Sequence, residues 1–340
     1  MNILLISPLG YAVNPQTKYA GIEKLAYQYA CELAKEHKVT VLGHSDSELP
    51  SSITNMGTKP KIGEDIFTFA ELRQYQAHQY LLRTFDVIHD FSHQHFACRY
   101  NANLPALNLF WHSPAIAQYP KAPYNIIAPS EWAARQFQKY YQQEARYQQS
   151  IVIDPEEYKP SGGRGDRFFT LGIMAPDKGN LAVIMMCKEL GVPLDVAGRG
   201  ADEKDKDYER TCLSLCDGEL IKFHGEVSDE KKIELMQTCR ALIYVLPNAY
   251  AEVTSHKVQE AMFCGAPIIT SKAGALPEII TDGVDGFLCS TDNEFREAIK
   301  NVDKLKPEVT HEQVVEKYSI GGVVRDYIKL YEEVAGGLRW

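Results

Sequence analysis

The stretch LPNAYAEVTSHKVQEAMFCGAPIIT, Leu246 to Thr270, predicts a short helix followed by an apolar strand. Thr254 or Ser255 is a suitable N-cap, and Gly265 followed by Pro267 ends the helix. The N-terminus of this helix would present backbone N–H groups and the positive end of the helix dipole, which together favour an anion.

Two glutamates flank the start of this helix. Glu252 lies in the loop before it, and Glu260 lies about two turns further along. Carboxylates are good acceptors for vicinal hydroxyl pairs, such as those of a ribose or a hexose. We therefore interpret the stretch as a sugar-nucleotide site, with phosphates held at the helix dipole between the two sugars. A solvated helix face that carries two unrelated carboxylates is the alternative.

The bulk composition is that of a globular protein with two domains. A chain of 340 residues is long for one core. The net charge of −9 argues against a basic surface for nucleic acid. The N-terminus lacks the features of a signal peptide, and no uncharged run reaches the roughly 18 residues that span a bilayer. We expect a cytoplasmic protein with at most peripheral membrane contact, whose eight cysteines are reduced thiols.

Apolar runs alternate with amphipathic helical segments along most of the chain, which is typical of parallel sheets buried on both faces. Gly21–Glu36 and Glu131–Tyr141 are predicted helices, the second with Ser130 as its N-cap. The predicted strands are ILLIS, KVTVLG, DVIHD, ALNLFW and NIIAPS in the first half, and RFFTLGI, PLDVAG, LIKFHG, ALIYVL, APIIT and GFLCS in the second.

The alternation pauses at YKPSGGRGD, Tyr158 to Asp166. This segment lacks the Lys-Ser/Thr ending of a phosphate-binding P-loop, so we interpret it as a hinge between domains. The sequence therefore predicts an α/β fold with two Rossmann-like, doubly wound domains that face each other across a cleft. In such sheets, ligands bind beyond the carboxyl ends of the strands.

Three residues that follow predicted strands are candidates for ligand contact. Gly21 begins a helix and would permit a phosphate to approach closely, although a glycine there also suits a simple turn. His112 ends a buried strand and would position a substrate hydroxyl, with a structural histidine as the alternative. Lys178 stands at a helix start, where a cation opposes the dipole unless an anion such as a diphosphate is bound.

The run HDFSHQH contains three histidines, and a metal site is the first interpretation to consider. Successive residues of a strand point to opposite faces, and no Cys or acidic ligand set accompanies these histidines elsewhere in the sequence. We therefore expect no metal at His89, His93 and His95.

In the stretch from Glu252 to Pro267 the chain resembles the retaining glycosyltransferases of the GT-B fold, in particular glycosyltransferase family 4. The family signature is Glu, seven residues and Glu, followed by AM-x-x-G-x-P, and EVTSHKVQEAMFCGAP has this form. The segments AGALPEIITDGVDGFL, VAGRG with Gly198 and Gly200, and AGIEKLAYQYACELAKEHKVTVL also resemble family segments. The resemblance covers nearly the whole chain.

The resemblance implies a nucleotide-sugar donor held mainly by the C-terminal domain. Glu252 would contact hydroxyls of the donor sugar, Glu260 would bind the ribose, and Lys178 would neutralise the leaving diphosphate. It implies no cofactor, because the nucleotide sugar is a substrate, and no metal, because the lysine and the helix dipole replace Mg²⁺.

The resemblance also implies supporting contacts from five further positions. The backbone of Thr254 and Ser255 would contact phosphate, Gly21 would approach the diphosphate, and His112 would lie beside the sugar. The backbone around Val227 would meet the base.

Two departures from the family pattern affect the phosphate site. The family has an arginine five residues before its lysine, and this chain has Ile173 there. Arg199, or Arg164 from the predicted hinge, would be the compensating cation. The family's E-G-F-G is EVTS here, so Thr254 and Ser255 add bulk beside the sugar.

The resemblance implies two domains joined by a hinge, and a C-terminal helix that packs on the first domain. An acceptor-side domain would span 1–158, a hinge 159–165 and a donor domain 166–315, with the C-terminal helix, 316–340, packing back on the first domain. The predicted apolar side of that helix contains Val324, Tyr327, Ile328 and Tyr331.

The predicted function is transfer of a hexosyl group from a nucleoside-diphosphate sugar, a UDP-sugar in the first instance, with retention of configuration. The acceptor would be a small molecule, a glycan or a lipid-linked hydroxyl. The alternatives are a catalytically weakened GT-B protein that binds sugar nucleotide or glycan without turnover, and a GT-B epimerase or phosphorylase.

Overall fold

The computed structural model describes residues 1–14, 21–111, 123–247 and 251–340. The chain divides into two compact units, each of which contains one parallel sheet. The first unit comprises Met1–Val152 and Tyr318–Trp340, and the second comprises Ile153–Lys317. His112 lies outside the described residues.

The first unit contains a parallel sheet of seven strands in the described residues. These are β1 (Asn2–Ile6), β2 (Lys38–Leu42), β3 (Ile53–Asn55), β4 (Val87–Asp90), β5 (Ala106–Leu109), β6 (Ile126–Ala128) and β7 (Ala145–Tyr147). The strand order is β3-β2-β1-β4-β5-β6-β7. The five strands predicted from apolar runs are confirmed. The edge strands β3 and β7 are short and polar, so their sequences carry no strong strand signal.

In the described residues, four α-helices of the first unit come before residue 152. They are α1 (Gly21–Leu33), α2 (Phe69–His78), α3 (Phe96–Tyr100) and α4 (Glu131–Tyr141). The predicted N-cap of α4 is confirmed, because Ser130 Oγ accepts a hydrogen bond from the Ala133 N–H at 3.0 Å.

The second unit contains a parallel sheet of six strands in the described residues. These are β8 (Phe168–Leu171), β9 (Leu194–Ala197), β10 (Ile221–Phe223), β11 (Leu242–Tyr244), β12 (Ile268–Ser271) and β13 (Gly286–Cys289), in the order β10-β9-β8-β11-β12-β13. All six correspond to predicted runs. The order reverses between β8 and β11, and such a switch point opens a crevice at the carboxyl ends of the strands.

Helices cover both faces of this second sheet. They are α5 (Asn180–Leu190), α6 (Lys206–Ser214), α7 (Asp229–Thr238), α8 (His256–Phe263), α9 (Leu276–Ile279), α10 (Asp292–Asn301) and α11 (Glu308–Tyr318). The helix predicted at the opening stretch is α8, which begins after Ser255 and ends before Gly265, a glycine with φ +77°. Positive φ is the backbone conformation that glycine adopts without steric cost.

The last helix, α12 (Ile320–Ala335), packs in the first unit against α1, β4 and β5. It contributes Tyr327 and Tyr331, which are fully buried. Their hydroxyls are satisfied at 2.7 Å by Ser150 Oγ and His89 Nδ1, respectively. Tyr29 of α1 joins them and donates to the Ser150 carbonyl at 3.0 Å. Buried tyrosines of this kind combine a large apolar area with a satisfied polar end.

The three histidines of HDFSHQH have separate partners. His89 lies in this tyrosine cluster, and burial lowers its pKa to about 3, so the ring is neutral. His93 Nδ1 is 2.9 Å from Glu71, and His95 Nδ1 is 3.5 Å from Asp90. Within the described ranges, no group of three or more His, Cys, Asp or Glu side chains is arranged to hold a metal ion.

The segment predicted as a hinge lies within the second unit. The Gln237 side chain donates to the Lys159 carbonyl at 2.6 Å, and the Gly165 N–H donates to the Thr238 carbonyl at 2.7 Å. These contacts hold the segment against the end of α7. Of the helices in the described ranges, none combines the length and apolarity needed to traverse a bilayer.

Candidate functional site

The loops that follow β8 and β11 meet at the switch point of the second sheet. Lys178 lies in the first loop and Glu252 in the second, and Lys178 Nζ is 3.6 Å from Glu252 Oε1. Both side chains are largely buried, with exposed fractions of 20% and 17%. Lys178 also lies 3.4 Å from the carboxylate of Asp177. The structure therefore brings together two of the residues predicted to act on a donor.

Two glycines place these side chains. Gly179, with φ +66°, packs so tightly on the loop after β11 that a Cβ would lie 2.0 Å from the Val245 carbonyl oxygen. Gly274, with φ +60°, packs on the backbone of Glu252, where a Cβ would lie 2.4 Å from the carbonyl oxygen. Side chains at either position would push the loops apart, so the glycines fix the approach of Lys178 to Glu252.

Tyr244, the last residue of β11, completes this arrangement. Its hydroxyl donates to Glu252 Oε1, so the carboxylate is held from two sides. We call Lys178, Tyr244 and Glu252 the switch-point cluster.

Lys257, on the first turn of α8, was not predicted as a site residue. Its amino group donates to the Leu171 carbonyl at the end of β8, at 2.8 Å. The same nitrogen lies 3.3 Å from the centre of the Tyr244 ring. The pKa of Lys257 is lowered to about 7, mainly by burial, because the charges of Glu252 and Asp177, which raise the pKa, and of Lys178, which lowers it, are weaker influences. A lysine at a helix start opposes the dipole, which is the signal that singled out Lys178 and that also applies here.

The N-terminus of α8 lies next to this cluster in the sequence. Ser255 is the N-cap residue, but its side chain makes no capping hydrogen bond. Thr254 and Ser255 are buried, with 8% and 5% of their surfaces exposed. The first N–H groups of an α-helix have no acceptor within the helix, so they are donors for an anion.

Glu260 belongs to a second cluster on the same helix. Its Oε1 accepts hydrogen bonds from Tyr158 and from Lys232, each at 3.0 Å. Lys232 also lies 3.3 Å from Asp229. We call Tyr158, Lys232 and Glu260 the helix cluster, because Lys232 comes from α7 and Glu260 from α8.

The charges of the helix cluster stabilise each other. Burial raises the pKa of Glu260, but Lys232, His256 and the hydrogen bonds from Lys232 and Tyr158 outweigh burial, so the pKa lies below its ordinary value. Burial lowers the pKa of Lys232, but Glu260, Tyr158 and Asp229 outweigh it and raise the pKa. Sequence reasoning identified Glu260 but missed its partners, because Tyr158 is 102 residues away in the chain and Lys232 is 28 residues away.

Two further predicted residues follow neighbouring strands of the second sheet. Arg199 follows β9 and forms an ion pair with Asp202 at 2.9 Å, with 30% of its side chain exposed. Val227 lies half-buried in the loop between β10 and α7. Both loops extend from the carboxyl-end edge of the sheet, where Lys178 and Glu252 also lie.

The remaining predicted residues lie elsewhere. Gly21 begins α1 in the first unit, and a Cβ built there would meet nothing within 4 Å, so packing within the described protein does not require a glycine. Arg164 precedes β8 and therefore lies at the amino-end edge of the sheet, opposite Lys178, and it is exposed. Its electrostatic neighbours are Asp303 and Cys239. It does not compensate for the arginine missing at Ile173.

Known proteins resemble this chain in sequence and in fold. The family model described as glycosyl transferases group 1 matches residues 163–317. A probable sucrose-phosphate synthase from Thermosipho melanesiensis is 31% identical over 149 residues, which cover 42% of this chain. The chain spans only 35% of that relative's length in this match.

Several solved structures match nearly the whole chain. Sucrose-phosphate synthase from Thermosynechococcus elongatus has a TM-score of 0.77 at 14% identity, over 99% of this chain and 100% of that one. Anabaena Alr3699/HepE, solved with UDP and glucose, has a TM-score of 0.72 at 16% identity, over 98% of this chain and 99% of that one. The chain therefore has the GT-B fold of these structures, and its residues 163–317 match the model of the glycosyl transferases group 1 family.

Proposed function

We propose that this protein is a retaining glycosyltransferase that moves a hexosyl group from a nucleoside-diphosphate sugar to a hydroxyl acceptor. The observation that carries the proposal is the contact between Lys178 and Glu252 at the switch point, beside the N-terminus of α8. Together these supply a cation and backbone donors for a diphosphate, and a carboxylate for the sugar hydroxyls.

The second unit offers positions for each part of the donor. In this proposal, Glu252 binds the hydroxyls of the sugar, and Lys178 with the N–H groups near Thr254 and Ser255 binds the diphosphate. Glu260 binds the ribose through Oε2, since both hydrogen bonds described above go to Oε1. The base lies against the backbone around Val227, and Arg199 stands at the same edge of the sheet. The roles of Gly21 and His112 remain predictions from the family resemblance.

A UDP-sugar is the proposed donor class. Anabaena Alr3699/HepE has been solved with UDP and with UDP-glucose, and its fold matches nearly the whole of this chain. The acceptor is a hydroxyl of a small molecule, a glycan or a lipid-linked compound.

The proposed reaction breaks the bond between the anomeric carbon and the diphosphate oxygen and forms a bond from that carbon to the acceptor oxygen, on the same face of the sugar. The departing phosphate oxygen takes the acceptor's proton. Lys178 and the helix dipole stabilise the negative charge that grows on this oxygen, so in this proposal they replace a metal ion.

The test is incubation of the protein with UDP-, GDP- and ADP-sugars and a panel of hydroxyl acceptors, with release of nucleoside diphosphate as the readout. We expect release that depends on both a UDP-sugar and an acceptor and that persists in EDTA. NMR of the product should show the anomeric configuration of the donor. Release that requires added metal, or an inverted product, would contradict those parts of the proposal.

The departures at Ile173 and in EVTS favour a second candidate, a GT-B protein that binds sugar nucleotide or glycan without turnover. Thermal stabilisation by UDP-sugar without release of UDP under any acceptor condition would support it. A reaction that depends on inorganic phosphate would instead indicate a phosphorylase.

A further inference from the structure

Lys257 occupies the switch point of the second sheet. Its amino group lies between the ends of the two strands at which the strand order reverses, bonded to the Leu171 carbonyl of β8 and over the ring of Tyr244 of β11. Ligands of doubly wound sheets bind at this place. The side chain extends from the first turn of α8, the turn whose N–H groups are donors for an anion.

Lys257 and Lys178 lie close together. A Cβ placed on Gly172 would be 3.4 Å from Lys178 Cβ and 3.5 Å from Lys257 Nζ. The two lysines therefore approach the same point beside the loop after β8, although they come from different elements. Ile173, the position where the family pattern has its arginine, is the next residue in this loop.

The charge of Lys257 is poorly compensated within the protein. Its two contacts are a neutral carbonyl and a neutral ring, and among the described residues no carboxylate lies within 4.0 Å of its amino group. Lys232, in contrast, contacts two carboxylates. A partly buried ammonium without a counter-ion favours an anionic ligand.

We infer that Lys257 is a second phosphate-binding cation of this site and supplies, from α8, the positive charge that Ile173 cannot supply. The inference rests on the proposed function, because it takes the ligand to be the diphosphate of the donor or product. Lys178 and Lys257 would then hold the diphosphate at the N-terminus of α8.

The affinity for the diphosphate should therefore depend on pH. With a pKa of about 7 in the free protein, Lys257 is mostly neutral at pH 8. A bound diphosphate stabilises the ammonium form and raises this pKa, so binding at pH 8 takes up a proton. Affinity is full below pH 7 and falls as the pH rises from about 7 to the pKa of the complex.

The experiment is calorimetric titration of the full chain with UDP at pH 8.0, in two buffers of different ionisation enthalpy. At this pH free UDP is fully ionised, since terminal phosphates have a pKa near 6. We expect the wild-type protein to take up roughly 0.5–0.9 proton per UDP bound. Lys257→Met should bind UDP about ten- to hundredfold more weakly and take up none.

Lys188→Met is the matched control. Lys188 is an exposed lysine of the same unit that also donates to a backbone carbonyl, that of Leu215, at 3.2 Å. This variant should bind UDP with wild-type affinity and wild-type proton uptake. Lys257→Arg should restore affinity without proton uptake, because arginine stays charged throughout this range.

The outcomes separate this inference from the proposed function. If Lys257→Met binds UDP with unchanged affinity and unchanged proton uptake, the assignment of Lys257 is wrong while donor binding stands. If the wild-type protein binds neither UDP, GDP nor ADP, the proposed function fails and this inference fails with it.

Discussion

The second unit contains two clusters with the same three residue types, a lysine, a tyrosine and a glutamate. In the switch-point cluster, the members lie on loops and strand ends, and the lysine-to-glutamate distance is 3.6 Å. In the helix cluster, the lysine and the glutamate lie on adjacent helices, and the distance is 3.0 Å. The same side chains are thus used at two places that differ in geometry.

The difference lies in how fully the charges are matched. Lys232 contacts Glu260, Asp229 and the Tyr158 hydroxyl directly, and its pKa is raised. Beside the switch-point cluster, Lys257 contacts only neutral groups, and its pKa is lowered. Internal matching of charges stabilises the helix cluster, whereas the unmatched cation beside the switch-point cluster is suited to a ligand that brings the missing charge.

The largest expected effect is on turnover, in the switch-point cluster. Lys178→Met and Glu252→Gln should each lower kcat by at least about a hundredfold, because each removes a group proposed to act on the leaving diphosphate or the sugar. The melting temperature should change by less than about 3 °C. Lys178 keeps Asp177 as a partner when Glu252 is replaced, and Glu252 keeps Tyr244 when Lys178 is replaced.

Nucleoside diphosphate release and differential scanning fluorimetry measure both effects on the same samples. Lys188→Met serves again as the control and should match the wild-type protein in both. Wild-type turnover in either cluster variant would show that the site has been assigned to the wrong residues.

The second effect is on stability, in the helix cluster. Lys232→Met leaves Glu260 without its ammonium partner, and only 16% of the Glu260 side chain is exposed. We expect the free energy of unfolding to fall by about 2–4 kcal/mol, measured by urea denaturation. Turnover per folded molecule should fall less than tenfold. If Lys232→Met abolished turnover and left stability unchanged, the assignment of a stabilising role to the helix cluster would be wrong.

This loss should depend on pH in a defined direction. The pKa of Glu260 is lowered in the folded protein, so the stability from its charge is present above the unfolded pKa of about 4.3. It is lost as the pH falls through the folded pKa. The gap between the wild-type protein and Lys232→Met should therefore be constant near neutral pH and shrink in acid.

The third effect is a gain in stability, at Lys257. Lys257→Met should raise the melting temperature, by about 2–4 °C at pH 6, because it removes an ammonium that is buried without a carboxylate partner. The folded pKa of about 7 lies below the unfolded value, so the cost of burying this lysine is full below pH 7. The cost falls as the pH rises toward about 10.4. Scanning fluorimetry from pH 6 to pH 10 should show the gain shrinking, and a gain that grew with pH would contradict the assignment.

The sequence identified eleven of the thirteen strands in the described residues, and it identified Lys178 and Glu252, which follow two of them. Lys178 and Glu252 were predictable because each follows a predicted strand, and residues at the carboxyl ends of parallel strands share one edge. Tyr158 and Lys232 were not, because their contacts with Glu260 depend on the packing of α7 and of the segment 158–166. The strand order makes β8 and β11 neighbours, and it cannot be predicted from the local pattern of apolar and polar residues.

The smallest effect concerns the start of α8, the helix that carries both Lys257 and Glu260. The Ser255 side chain makes no capping hydrogen bond, whereas Ser130 caps α4 at 3.0 Å. Ser130→Ala should therefore lower the free energy of unfolding by about 1 kcal/mol, and Ser255→Ala by less than about 0.5 kcal/mol. Urea denaturation of the two variants measures the difference. Equal losses would mean that Ser255 caps α8, and the first N–H groups of that helix would then be satisfied within the protein and less available to a phosphate.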